Sequence, residues 1–259
     1  MVTLAVRFDF AVALVEDEQR CRRVAEILMR PCFRDLERAS AHRGDRWVQH
    51  APKSADAIVS ILQDPKNAAV SFDTKRGKDL VASGEIRNGT REINQGATRF
   101  YADLVFPVPE DLEATTAALC ELADALDTGA GFVAGEPDYA YAQKVALGGF
   151  NPKLRPGLST RRAIERRGRD WHQWQRHNEL AGPEWGIFLG AEHLARLDIE
   201  KVRASRAFNR VVLVSPRLAY LQITTNPGDD LRDDFEVKLQ AAREALAPIL
   251  MDLSDVNLD

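Results

Sequence analysis

Residues 209–250 carry the clearest hydrophobic pattern in the chain, and it changes period once. Residues 211–214 form a short β-branched apolar run, Ser215, Pro216 and Arg217 make a turn, and residues 218–225 follow as a second run. This pattern predicts a β-hairpin. Residues 226–230 then break the strand, and Asp229 or Asp230 is placed to cap the helix that follows. Leu231, Phe235, Leu239, Ala242, Leu246 and Ile249 recur every three or four residues, with Asp233, Lys238 and Arg243 on the opposite face. A strand pair with a helix packed on it is expected.

The same reading runs along the rest of the chain. Residues 2–12 alternate as a strand, with Val6, Phe8 and Phe10 on one side and Arg7 and Asp9 on the other. Cys21, Val24, Ala25, Leu28 and Cys32 fall at helical spacing, and Pro31 is expected to end or bend that helix. Residues 38–52 are polar and read as a loop whose Trp47 folds back on the core, beside His42 and His50. Residues 55–62 predict a short helix. Residues 68–73, 80–87 and 98–106 predict a three-stranded meander with Asn88-Gly89 as a turn, and in the third strand Tyr101 and Asp103 share a face. Glu110 and Asp111 open a helix on Leu112, Thr116, Leu119, Ala123 and Leu126. The glycines of residues 128–150 read as helix terminators and sharp turns. Gly129-Ala130-Gly131 is not a phosphate loop, because the helix precedes the glycines.

Residues 106–112 leading into Leu126 parallel residues 225–231 leading into Leu246, at an offset of 118 to 120 residues. Each unit runs strand, proline-acidic turn, amphipathic helix. The economical architecture is α+β, with two similar halves, each a mixed or antiparallel sheet with amphipathic helices packed on one face. The halves are residues 1–150 and 184–259, joined by a basic segment at 151–183 with a helix from residue 160 to 176. One continuous domain is the alternative, and coincidence of a common motif is the alternative to a repeat.

Composition narrows the function classes. At 259 residues, 45% hydrophobic and 29% charged, the chain reads as an ordinary globular protein with a substantial core. A net charge of −4 argues against a chain-wide affinity for nucleic acid or anionic membrane. The apolar run at residues 2–15 is broken by Arg7 and Asp9, unlike a signal peptide, and no run reaches membrane-spanning length, so a cytoplasmic location is expected. Cys21, Cys32 and Cys120 lack CxxC spacing, which fits a reducing compartment and a structural role.

No catalytic signature stands out, and the chain is expected to be non-enzymatic, with no cofactor. His172 and His177 are five apart, which does not place both on one helical face as a zinc helix requires, and His193 lacks a second histidine at Leu197, so no metal is expected. Two charged stretches remain. The acidic one holds Asp229, Asp230, Asp233, Asp234 and Glu236, more carboxylates than helix capping needs, and its surplus offers a surface for a basic protein partner. The basic one, residues 153–177, holds Arg161, Arg162, Arg166 and Arg167 with Trp171 and Trp174 interleaved; cations beside aromatics suit phosphates and stacked bases, so a nucleotide- or RNA-binding protein or enzyme is the alternative reading. Its competing reading is a solvated basic linker.

The run Trp185-Gly186-Ile187-Phe188-Leu189-Gly190, followed by Leu194 and Leu197, and the run at residues 220–224 with Pro227 and the terminal helix, resemble bacterial toxin-immunity proteins of the kind associated with type VI secretion and polymorphic toxins. The likeness covers mainly residues 183–251. It implies a cytoplasmic α+β protein that binds a cognate protein toxin, with no catalytic residues of its own, and self-association as a homo-oligomer is a further option.

Overall fold

The computed structural model describes residues 2–33, 38–43, 46–51, 54–76, 79–87, 100–146, 159–171, 179–232, 234–254 and 256. Among the described residues ten strands appear in chain order: β1 Thr3–Phe10, β2 Arg38–Arg43, β3 Arg46–His50, β4 Ala69–Arg76, β5 Asp79–Arg87, β6 Phe100–Pro107, β7 Thr128–Glu136, β8 Gly186–Leu189, β9 Arg210–Ser215 and β10 Leu218–Gln222. They join one sheet in the order β3-β2-β4-β5-β6-β1-β7-β8-β10-β9, and every neighbouring pair is antiparallel. The helices are α1 Glu18–Leu28, α2 Ala55–Gln63, α3 Leu112–Ala125, α4 Tyr139–Ala146, α5 Thr160–Trp171, α6 Ala191–Leu194, α7 Ile199–Ala204 and α8 Phe235–Leu246. The fold is α+β. Strands from residues 1–150 and from 184–259 share the one sheet, and α5 occupies part of the segment between them.

Alternation decides what each face of the sheet meets. Leu4, Val6, Phe8 and Phe10 of β1, Val70 and Phe72 of β4, and Ala102, Leu104 and Phe106 of β6 enter the large core, where Val24 and Leu28 of α1, Ile58 and Leu62 of α2, and Leu119 and Leu122 of α3 cover them. Side-chain caps start these helices: Asp17 accepts from the Arg20 N–H, Ser54 from Ala57 and Asp111 from Ala114. On the opposite face α4 packs against β1, β6 and β7, burying Tyr141, Ala142 and Val145 with Ala5, Val105 and Phe132.

Two segments differ from their sequence reading. Residues 38–50, expected as a loop, form the β2–β3 hairpin. Only Ala39 and Ala41 mark its buried face, too small to register as hydrophobic alternation, and Trp47 stands 49% exposed against His42 rather than folded into the core. Of the glycines expected to end α3 and turn the chain, Gly129, Gly131 and Gly135 lie instead inside β7, while Gly148 and Gly149, like the expected Asn88-Gly89 turn, lie outside the described residues. Asp127, at φ 51°, makes the left-handed turn after α3. Gly131 stands between Phe8 and Phe188 in register, and a Cβ there would lie 2.7 Å from the Arg7 carbonyl oxygen. Its missing side chain lets the two rings meet across β7 at 5.1 Å, and Phe188 continues to Tyr220 at 4.8 Å.

The terminal unit departs in three respects, one of them that Leu231, expected on the apolar helical face, lies in a 3-10 turn and is 39% exposed. Neither Asp229 nor Asp230 caps α8: Asn226 caps a 3-10 turn at Pro227–Leu231, accepting from the Gly228 N–H, and α8 begins only at Phe235. Phe235, Leu239, Ala242, Leu246 and Ile249 are buried as expected, but Arg243, assigned to the solvent face, is buried too.

Candidate functional site

The face of the sheet beside α4 is polar from β2 to β1. Cross-strand pairing places two rows of side chains on it: Trp47, His42, Ala69, Arg87, Tyr101 and Asp9 in one, Gln49, Ser40, Ser71, Glu85, Asp103 and Arg7 in the other. Ser40, His42, Ser71, Asp73, Ser83, Glu85 and Arg87 are half-exposed. An antiparallel sheet with one face in the core and one solvated alternates in this way.

The rows are tied into a fixed array. Tyr101 OH donates to Glu85 Oε1 at 3.0 Å and accepts from Arg87 Nε at 3.1 Å, while the Arg7 guanidinium lies 4.4 Å from the Tyr101 ring centre. Arg7 donates to Asp9 at 3.1 and 3.2 Å and to the Ala146 carbonyl at the end of α4. Tyr139 of α4 donates to Ser83 at 2.5 Å. Asp103, 4% exposed, has one carboxyl oxygen with no hydrogen-bond partner. Burial, seconded by the Glu85 charge and opposed by Arg7, pushes its pKa up to about 7. Burial raises the Tyr101 phenol as well. Chemically this is a half-exposed field of hydrogen-bonded donors and acceptors of mixed sign with an exposed indole at its rim.

The charged stretches singled out in the sequence come together elsewhere. Arg162 of α5, buried, donates to the carboxylates of Asp230 and Glu184 and to the Asp230 carbonyl. Arg166, also buried, bonds Glu184 twice and lies 2.8 Å from Glu136 of β7. Glu165 accepts from Arg161 and, at 2.6 and 2.9 Å, from Arg243 of α8, and Arg243 reaches Glu236 at 2.6 Å. Asp230 also accepts from the Gly135 N–H. Burial works against the charges of Arg162 and Arg166, but Asp230 and Glu184 around the first and Glu136 and Glu184 around the second overcome it and hold both guanidinium pKa values above the ordinary value.

The basic segment and the acidic cluster are therefore partners through Arg162 and Asp230. Both side chains are buried and paired with one another. Of the other acidic residues, Asp229 and Asp234 flank Arg232, Glu236 also accepts from Ser159, and Asp233 lies outside the described residues. Arg161 is exposed and Arg167 half-buried; Trp171 is the last described residue of α5, and Trp174 lies outside the described residues, as do His172 and His177. His193 is buried in α6, Nδ1 3.0 Å from the Gly129 oxygen, and burial lowers its pKa against that bond. Among the described residues no cluster of His, Cys, Asp and Glu is arranged to hold a metal ion, and no helix is long and apolar enough to cross a membrane.

Arg7, Glu85 and Arg87 carry no site signature in the sequence. The available signal was the alternation of β5 and β6, which set Tyr101 and Asp103 on one face; strand order, which brings Arg7 beside Asp103, lay outside it.

No family model matches the chain, and no curated protein matches it. Among solved structures it is similar to the Pseudomonas aeruginosa T6SS protein PA0821, with a TM-score of 0.63 and 12% identity over 96% of this chain and 73% of that one. At that identity the likeness is one of fold.

Proposed function

We propose that the chain is a non-enzymatic binding protein of the immunity type, which holds and neutralises a cognate protein toxin in the setting of type VI secretion. The observation that carries this reading is the half-exposed polar sheet face, fixed by Arg7, Tyr101, Glu85 and Arg87 and rimmed by the exposed Trp47. A preorganised array loses little side-chain freedom on binding, and a rim indole supplies apolar contact area. The fold shared with a T6SS protein supports the setting. Asp234, exposed beside α8, is a second contact available to a basic partner.

The test is affinity capture from the native host with the bound species identified by mass spectrometry. A stoichiometric protein, toxic alone and harmless beside this chain, is expected. Trp47→Ala with Arg87→Glu should weaken capture by at least about tenfold with the fold intact, and Asp234→Lys reports on the acidic end. Nucleotide or RNA recovered without protein would sink the reading.

A further inference from the structure

Among the described residues the strand β9 closes one end of the sheet and pairs on one side only, with β10. Its neighbour β10 is buried throughout, whereas β9 is half-exposed along its length and its Leu213 is 51% exposed. Between Arg210 and Ser215 it carries only Val211, Val212, Leu213 and Val214, with neither lysine nor proline to discourage pairing. Leu218 stands opposite Ser215 and Ala219 opposite Leu213, so Val214 is bulged out and the regular edge is residues 210–213.

We infer that β9 pairs antiparallel with the β9 of a second copy of this chain about a two-fold axis at Val212, running the two sheets into one. A two-fold axis perpendicular to the sheet keeps each face on its own side, so opposed residues must share a face and their numbers must differ by an even count. The register centred on Val212 meets that rule. It sets Val212 against its own copy and each Val211 against the other chain's Leu213, covering both exposed leucines.

The charges at the two ends agree with this occupant. Arg210 pairs with Glu113 of α3 at 2.7 Å, and Arg217 with Asp127 at 3.4 Å. Antiparallel pairing turns the Arg210 and Glu113 end of one copy toward the Arg217 and Asp127 end of the other, two cations and two carboxylates, so each cation has a carboxylate available on either chain and no like charges are forced together. The edge is short, so the dimer is of the small, concentration-dependent kind. This inference goes beyond the binding reading and stands without it.

Sedimentation velocity of the whole chain across a concentration series tests it. The expected result is a mass rising from one chain toward two, and its loss in Leu213→Lys, whose circular dichroism and thermal unfolding match the parent; Val237→Lys, at an exposed site on α8, should leave the dimer in place. Under mild oxidation Val212→Cys should give a covalent dimer that the parent, with its own three cysteines, does not. A single-chain mass at every concentration, or a dimer that survives Leu213→Lys, would overturn the inference. So would a chain that stays single alone and pairs only with a strand of another protein.

Discussion

Arg166 and Glu184 meet through two parallel bonds of 2.9 Å, Nε to Oε1 and Nη2 to Oε2, with both side chains 2% exposed. The bidentate geometry fixes the roll of α5, and Glu136, Asp230 and Arg162 extend the pair to β7 and the turn before α8. A helix with the sequence TRRAIERRGRDW offers few apolar residues to pack, so its charges dock it.

Replacing Glu184 by Ala leaves Arg162 and Arg166 short of a carboxylate in a buried site. The expected loss is about 3–5 kcal/mol in urea unfolding, the cost of breaking a buried pair from one side. A loss below about 1 kcal/mol, the worth of an exposed pair, would show that the network does not hold the fold.

Gly131→Ala should cost about 1–3 kcal/mol, because the new Cβ meets the Arg7 carbonyl at 2.7 Å and the Phe8 and Phe188 side chains at 3.1 and 3.3 Å. Gly129→Ala is the control: its nearest neighbour is the Asp9 oxygen at 3.7 Å, an ordinary contact, and the change should stay within about 0.5 kcal/mol. Equal midpoints for the two variants would count against the close packing of the aromatic row.

Asp103 gives stability a pH dependence of a particular sign. Its folded pKa of about 7 lies above the ordinary 3.8, so the folded chain binds the proton more tightly than the unfolded chain. Its contribution is complete below the unfolded value and is lost as pH rises toward 7. The unfolding free energy from urea titration should fall between pH 5 and pH 8 by on the order of a few kcal/mol more in the parent than in Asp103→Asn. Identical pH profiles would place the Asp103 carboxyl in a wetter site than its burial indicates.

The three thiols should react slowly near neutral pH, since burial raises each: Cys21 to about 11, Cys120 to about 12, and Cys32 upward as well. Cys21, fully buried and donating to the Leu14 carbonyl, should alkylate only on unfolding, and the half-buried Cys32 and Cys120 before it. Peptide mass mapping after brief iodoacetamide treatment reads the order. Early labelling of Cys21 would contradict the packing of α1.

Much of this fold is determined locally. The hairpin of β9 and β10, the meander of β4, β5 and β6, and helices α1, α3 and α8 follow from residue periods dense enough to be read one segment at a time. Two segments escape because the informative residue is small: Ala39 and Ala41 mark the buried face of β2, and Gly131 belongs to a central strand because Phe8 and Phe188 fill the space its side chain would take. What only the tertiary structure decides is which distant residues become neighbours. Arg162 and Asp230, 68 residues apart, read in the sequence as members of two opposed surface patches and are one buried ion pair. Asp103 and Arg7 become neighbours because β1 inserts between β6 and β7. Local pattern records how a segment divides between core and solvent; it does not record which segment supplies the opposite charge, because Coulomb attraction and desolvation depend on distance through space and on burial, and both are set only when the sheet closes its order.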